Sequence, residues 1–264
     1  MNKNEMKINE VINYLDRQFH PEWQEDYDNS GFLLGDADEE YRGALVALDL
    51  TDTVVDEALE HGLNLIVTHH PFIFGSVKRI TASNAEGKLI IKLISRHISV
   101  YAAHTNLDNM PEGVSGILAD KLGLSACRIL GPKNDNPAIG GGMVGDLPEA
   151  MTKTAFLLKV KTLTGQPMIR HAGGPDKVRR IALCGGSGSF LIDEAIAAGA
   201  DIYLTADIKY HDFQRATECT ALADIGHFES EQFAKEIIYS AILKKFSNFA
   251  CRITERQGSL VSYI

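Results

Sequence analysis

Apolar residues near the start of the chain recur at intervals of three or four positions, which is the period of an amphipathic helix. Polar residues lie between the members of this set, which are Met6, Ile8, Val11, Ile12, Leu15 and Phe19. A turn-rich stretch follows, HPEWQEDYDNSGFLLGD, in which the tetrapeptide DNSG breaks any regular element. The pattern predicts one helix and then an irregular segment.

Strands and helices then alternate along the chain. GALVALDL predicts a strand, and TDTVVDEALEHG predicts a helix that begins at Thr51 or Asp52 and ends at Gly62. LNLIVT is a short apolar run without turn residues, so it predicts a buried strand. A helix at about 84–97 and the strand ISVYAAHT come next. Strands joined by helices imply a parallel sheet and an α/β fold class.

This strand–helix–strand pattern occurs twice. VALDLTDTVVDEALEHGLNLIVTHH and IALCGGSGSFLIDEAIAAGADIYLTAD correspond with a constant offset of 137 residues over their second halves, so that Gly62 matches Gly199. The internal repeat predicts two similar α/β lobes. We expect residues 1–125 plus 226–264 to form the first lobe and residues 126–225 the second, with a ligand in the crevice between them.

Composition and charge narrow the class of protein. The chain has 264 residues and a net charge of −9, which argues against nucleic acid as the main partner because phosphates would be repelled. The four cysteines are widely spaced without a CxxC pair, as is typical of reduced thiols in a cytosolic protein. The polar start has no apolar signal-peptide core, and no apolar stretch approaches the ~20 residues of a membrane helix. We therefore expect a cytoplasmic protein without a membrane partner.

Histidines and carboxylates follow three of the predicted strands. They stand after LNLIVT, ISVYAA and ALADI, the last of which we expect to be the final strand: His69, His70, His104, Asp108, His227 and Glu231. Because ligands lie outside the carboxyl ends of parallel strands, we expect these residues to meet at one edge of a sheet. We place Glu231 in the first turn of the final helix, where the helix dipole favours a carboxylate.

Each of these signals has a second interpretation when it is taken alone. A lone histidine pair is more often a surface turn than a ligand set, and an acid at a helix start needs no metal. Together, the three segments favour a metal site, because mixed nitrogen and oxygen donors suit zinc, manganese, iron or nickel. One tetrahedral zinc ion uses about four ligands. Six donors therefore indicate two ions that share a carboxylate.

Two segments of the second repeat carry further polar groups. CGGSGSF is a glycine-rich turn between a strand and a helix, and it either offers N–H groups to a phosphate or packs tightly at the lobe interface. DIKYHD supplies Lys209, His211 and Asp212, which either reach the site or lie at the surface or a subunit contact. Both alternatives stay open on the sequence alone.

The motifs VTHHPFIF, AAHTNLD, GGSGSFLIDEAIAAGADIYLTADIKYHD and GHFESE, with YDNSGFLLGD before them, resemble the Nif-three-like family of dinuclear metal-centre proteins. Members are commonly named GTP cyclohydrolase 1 type 2 homologues, and the resemblance spans nearly the whole chain. It implies a two-lobed α/β fold, two divalent metal ions per chain and a hexamer. The ligands it implies are His69, His70, Asp108, His227 and Glu231. His104 is then either a further ligand or a residue that orients water or Asp108.

The function that the resemblance implies is a metal-dependent hydrolase acting on a purine nucleotide or a related small phosphorylated molecule. In the cyclohydrolase reaction, water attacks C8 of guanine and formate is released. His104 and His211 are the candidates for general acid–base catalysis. The alternative is a non-catalytic protein that binds or delivers metal, or a platform for protein interactions. The same ligands serve both, so turnover distinguishes the two hypotheses.

Overall fold

The computed structural model describes residues 6–134 and 136–264, and it divides into two compact units. Unit 1 consists of the described residues up to Leu107 together with Ala234–Gly258. Unit 2 consists of the described residues of Asp108–Phe233 together with Ser259–Ile264. Each unit has a sheet of its own that carries helices, so the predicted α/β class is confirmed.

The strands of the described residues are β1 (Gly31–Leu34), β2 (Gly43–Ala47), β3 (Leu65–Thr68), β4 (Ser99–Ala102), β5 (Ser125–Lys133), β6 (Asn136–Thr152), β7 (Arg170–Ala172), β8 (Lys177–Ser187), β9 (Ile202–Ala206), β10 (Ala221–Asp224) and β11 (Ala250–Ile253). The helices are α1 (Ile8–Phe19), α2 (Asp52–Glu60), α3 (Ala85–Ser95), α4 (Thr105–Asp108), α5 (Val114–Lys121), α6 (Lys153–Thr164), α7 (Ile192–Ala197), α8 (His227–Glu231) and α9 (Ala234–Lys245). No helix in this part of the chain is long and apolar enough to cross a membrane.

Unit 1 is built on a five-stranded sheet with the order β1-β4-β3-β2-β11. Its strands run parallel except for β1, which pairs antiparallel with β4 at one edge. The predicted helices are present, and α2 begins where the Thr51 hydroxyl accepts a hydrogen bond from the backbone N–H of Val54 at 3.3 Å. The expectation that ALADI forms the last strand is wrong, because β11 follows it and pairs with β2.

Unit 2 is built on a six-stranded sheet with the order β5-β6-β8-β9-β10-β7, in which β8, β9 and β10 are parallel. ALADI forms β10 and so lies in a different sheet from β3 and β4. The expectation that all three strand exits share one sheet edge is therefore wrong. Helices α5 and α8 pack against β8. Residues 108–125, 226–233 and 259–264 belong to this unit, whereas the sequence expectation placed them in the first lobe.

The internal repeat extends to the pairing of the strands. β2 and β3 pair Leu45 with Ile66, and β8 and β9 pair Ala182 with Tyr203, which are the positions 137 residues further along. The order β4-β3-β2 in unit 1 recurs as β10-β9-β8 in unit 2, parallel in both cases. The two copies thus share register as well as sequence pattern, and residues at matching positions leave equivalent strands.

Candidate metal centre

Three histidines of unit 1 lie together beyond the ends of β3 and β4. His69 and His70 directly follow β3, and their backbone N–H groups donate to Ala47 and Leu48 carbonyls at 3.2 and 2.9 Å. His104 stands between β4 and α4. One ring nitrogen from each of the three histidines lies within 4.8 Å of the others. The structure therefore gathers the histidines of two separate motifs into one cluster.

Every ring of this histidine cluster has its Nδ1 against an oxygen of unit 1. The pairs are His69 with the Ala103 carbonyl at 2.7 Å, His70 with Asp49 Oδ1 at 2.7 Å, and His104 with Asp28 Oδ1 at 2.8 Å. A carbonyl or an ionised carboxylate only accepts hydrogen bonds, so each Nδ1 is the protonated nitrogen. The Nε2 lone pair can then bind a metal ion, as in metal sites where carboxylates or carbonyls orient the ligating histidines.

Asp28 is a buried carboxylate that fixes His104. It also accepts hydrogen bonds from the Thr105 backbone N–H at 3.0 Å and the Ser30 hydroxyl at 2.9 Å. Burial raises the pKa of this carboxyl, but the hydrogen bonds from His104 and Thr105 lower it more, so the pKa lies well below its ordinary value. Asp28 is therefore ionised near neutral pH. Sequence reasoning noted its motif but gave the residue no role.

Asp49 fixes the ring of His70 and is itself held by Gln257, near the end of unit 1. The Gln257 side-chain amide donates from Nε2 to both the carbonyl and Oδ2 of Asp49 at 3.1 Å, and its Oε1 accepts from the Leu48 N–H at 2.7 Å. Sequence reasoning missed both residues, since a partner about 200 positions away leaves no local signal.

The remaining predicted ligands belong to unit 2. Glu231 is buried, and its Oε2 lies 3.1 Å from Nε2 of His227. A carboxylate oxygen of Asp108 lies within 4.8 Å of one from Glu231. The prediction that Glu231 lies in the first turn of the final helix is wrong. Glu231 is the last residue of α8, which the chain enters at Gly226 with φ +81°. Two carboxylates and an imidazole thus lie close together.

Asp207 holds the other side of His227. Its Oδ2 lies 2.7 Å from Nδ1 of the imidazole. Burial lowers the pKa of His227, but the hydrogen bonds to Glu231 and Asp207 and their negative charges raise it more, to about 9. In the absence of a metal the ring is therefore protonated at neutral pH, with one carboxylate at each nitrogen.

The glycine-rich turn packs beneath Glu231. The N–H of Gly185 donates to the Ser115 hydroxyl at 3.3 Å, and that of Gly186 donates to the Ser230 hydroxyl at 2.9 Å. A Cβ at Gly186 would stand only 2.0 Å from Glu231 Oε1. These contacts favour the packing interpretation over a phosphate cradle.

Two further groups of unit 2, the Cys184 thiol and the His211 imidazole, differ in burial. Burial raises the pKa of the Cys184 thiol to about 12, and the Asp108 and Glu231 charges add to this, so the thiol stays protonated and is a poor nucleophile. His211 is exposed, and its ring contacts Tyr210 with centroids 5.4 Å apart.

Fold and donors together define a class of two-unit α/β proteins whose histidine and glutamate groups can bind a metal ion. The chain matches the model of the Duf34/NIF3 (NGG1p interacting factor 3) family over residues 6–258, and it belongs to that family. The predicted resemblance is therefore confirmed.

Similar proteins of known sequence or structure agree with this assignment. A Clostridium acetobutylicum protein named GTP cyclohydrolase 1 type 2 homolog is 35% identical over 229 residues, which are 86% of this chain and 85% of the relative. A Streptomyces coelicolor protein of the same name is 36% identical over 233 residues, 85% and 81% of the two chains. The crystal structure of Staphylococcus aureus hypothetical protein SA1388 has a TM-score of 0.92 at 32% identity and covers 99% of this chain and 100% of its own.

Proposed function

We propose that this chain binds two divalent metal ions and works as a metal-dependent hydrolase on a purine nucleotide or a related small phosphorylated molecule. The observation that carries the proposal is the orientation of His69, His70 and His104. Each Nδ1 is engaged by an oxygen of the protein, and one nitrogen from each ring lies within 4.8 Å of the others. A surface turn needs no such arrangement, whereas a metal site does.

The donors of unit 2 fit the same purpose. Asp108 and Glu231 hold carboxylates within 4.8 Å of one another, and Glu231 is buried. Like charges at this distance repel in a buried place, and a cation stabilises both. His227 adds a nitrogen next to Glu231. These donors would hold metal as the histidines of unit 1 would.

The proposal takes its ligands from the resemblance to the family. The ligands are His69, His70, Asp108, His227 and Glu231, with His104 beside them in the histidine cluster. Six donors exceed the roughly four that a single zinc ion uses. The mixed nitrogen and oxygen set suits zinc, iron, manganese or nickel.

Bound ions would supply Lewis acidity to a substrate oxygen and would make a water nucleophilic near neutral pH. The residues of the chain would hold the geometry. Glu231 would offer two carboxylate oxygens and each imidazole one nitrogen lone pair to the ions that they would hold. For general acid–base catalysis we favour His104, which stands in the histidine cluster, over the exposed His211.

Substrate, assembly and location complete the proposal. The relatives named GTP cyclohydrolase 1 type 2 homolog support a nucleotide substrate. A hexamer follows from the family resemblance, and light scattering that returned a monomer mass over a wide concentration range would contradict it. Free cysteines, including the buried Cys184, support a cytoplasmic location.

The test is metal loading followed by a substrate screen. Metal-free protein is loaded separately with zinc, manganese, iron and nickel, and metal content is measured per chain. Each form is then incubated with nucleoside triphosphates while formate and phosphate are both monitored. The double variant His69→Ala/Glu231→Ala removes one donor from each set. The matched control His61→Ala/Glu218→Ala removes an exposed histidine and an exposed glutamate.

We expect two ions per chain and product release only from loaded protein, both lost in the double variant and kept in the control. Metal content near zero, or unchanged in the double variant, would reject the site. Two ions without any product would reject the hydrolase and support the non-catalytic alternative of metal binding or delivery.

A further inference from the structure

Asp207 stands where the internal repeat places a histidine in its first copy. It lies 137 residues after His70, the constant offset of the repeat. His70 is the second residue after the end of β3 at Thr68, and Asp207 follows the end of β9 at Ala206. The second copy has thus exchanged an imidazole for a carboxylate at this exit.

The backbone at Asp207 presents its carboxylate to His227. Asp207 has φ +56°, a left-handed conformation that aspartate and asparagine adopt more readily than other residues with a side chain. In this conformation Oδ2 lies 2.7 Å from Nδ1 of His227. The opposite nitrogen of the ring, Nε2, faces Glu231 Oε2 at 3.1 Å. The two carboxylates therefore act on opposite atoms of one imidazole.

Stability alone does not account for this pair. The side chains of Asp207 and His227 are 55% and 39% exposed. Ion pairs that water reaches to this extent contribute little to folding. An aspartate in left-handed backbone at such a place is better explained by what it does to the ring.

We propose that Asp207 is a positioning residue of the metal centre. It accepts the hydrogen bond from His227 Nδ1 and fixes the ring so that Nε2 is presented to a metal ion. This inference rests on the proposed metal-binding function. Asp49 and Asp28 hold His70 and His104 in the same way in unit 1. The second repeat therefore contributes an orienting carboxylate where the first contributes a ligand.

Removal of the carboxylate should weaken metal binding without unfolding the chain. An uncharged acceptor holds the Nδ1–H less firmly than a carboxylate does, and without any acceptor the ring is free to rotate about its Cβ–Cγ bond. In either case a smaller part of the population presents Nε2. Loss of such an orienting partner typically costs roughly 10–100-fold in metal affinity.

The test uses the full-length chain with Asp207→Asn, which keeps the size and the left-handed conformation but removes the charge. Asp193→Asn is the matched control, because Asp193 is an exposed aspartate in unit 2 whose carboxylate pairs with Arg215 at 2.6 Å. Zinc affinity is measured by competition with a chromogenic chelator. The visible spectrum of the cobalt-loaded protein reports the geometry of the ligands. Urea unfolding of the metal-free forms reports their stability. Asp207→Gly, which also permits the left-handed backbone, serves as a second variant if the first fails to fold.

We expect Asp207→Asn to bind zinc roughly 10–100-fold more weakly than Asp193→Asn, with an altered cobalt spectrum and a similar unfolding midpoint. Equal affinity and equal spectra in the two variants, with wild-type protein that binds zinc, would overturn the positioning role and leave the proposed function standing. Wild-type protein that binds neither zinc nor cobalt would overturn both.

Discussion

Replacement of Gly186 by alanine should displace the carboxylate of Glu231. Gly186 has φ +62°, and a Cβ there would stand 2.0 Å from Glu231 Oε1 and 2.9 Å from its Cδ. Ordinary van der Waals contact begins at 3.4 Å, so the carboxylate has to move. Gly199 provides the control, since it has φ +68° and nothing within 4 Å of its added Cβ. The two substitutions share the backbone strain and differ in the collision.

The expected magnitudes follow from that difference. A left-handed conformation costs an alanine about 1–2 kcal/mol, and both variants bear this cost. Overpacking in a well-filled place adds about 1–3 kcal/mol, and only Gly186→Ala bears it. We expect Gly199→Ala to lose about 1–2 kcal/mol and Gly186→Ala about 2–5 kcal/mol of unfolding free energy. A metal ligand tolerates a shift of only about 0.2 Å, so metal affinity should fall in Gly186→Ala alone.

Urea unfolding of the metal-free proteins measures the first quantity, and zinc competition with a chelator measures the second. If Gly186→Ala were as stable as Gly199→Ala and also bound zinc like the wild type, the turn would not hold Glu231 in place. The glycine-rich segment would then have no part in placing this carboxylate.

Three further predictions concern stability. Asp28→Asn should lower the free energy of unfolding by roughly 1–3 kcal/mol at neutral pH. Because folding lowers the pKa of Asp28, this difference between wild type and variant should shrink as the pH falls below about 4. Urea unfolding from pH 7 to pH 3 measures the difference, and a constant value would contradict the prediction. Because folding raises the pKa of His227, protonation of this ring should stabilise the metal-free protein fully below about pH 6.5, and this stabilisation should be lost as the pH rises through about 9. The melting temperatures of wild type and His227→Gln should therefore converge over that interval. Buried Glu57 accepts a hydrogen bond from the Thr254 hydroxyl. Glu57→Ala should therefore lower the free energy of unfolding by roughly 1–3 kcal/mol and speed proteolysis near residues 254–258, and an unchanged cleavage rate would contradict this.

Local sequence patterns were sufficient to predict the helices and strands whose signals lie within their own residues. α1 shows one apolar face, β3 is buried throughout, and α2 carries its capping Thr51, so each has a signal within about a dozen residues. β11 gave none: its four residues alternate between exposed and half-buried, without an apolar run. The sheet to which each strand belongs also could not be predicted, because the apolar pattern of a strand does not indicate which strand it pairs with. The expected convergence of three exits on one sheet edge failed for that reason.

The sequence singles out the histidines and carboxylates that lie close together within each unit, but it does not single out their hydrogen-bond partners. Histidines and carboxylates directly after apolar strands are visible as a local pattern. Asp49 and Gln257 are joined by a hydrogen bond across 208 positions, and neither has an unusual neighbour. The predicted position of Glu231 in its helix was wrong because of Gly226. This glycine adopts φ +81°, and α8 begins after it, before the apolar stripe of α9 begins.

The repeat explains why an orienting carboxylate and a histidine stand at matching positions. Because β2–β3 and β8–β9 keep the same register, Asp207 and His70 follow equivalent strands, although only Asp207 of the two has a left-handed backbone. An imidazole at position 207 would offer one neutral acceptor nitrogen to His227, whereas the carboxylate offers two oxygens and a negative charge. A carboxylate therefore orients the ring more firmly and favours its binding to a cation. In the proposed metal centre, Asp207 would thus orient an imidazole that comes from a different strand exit, whereas the matching His70 would itself be a ligand.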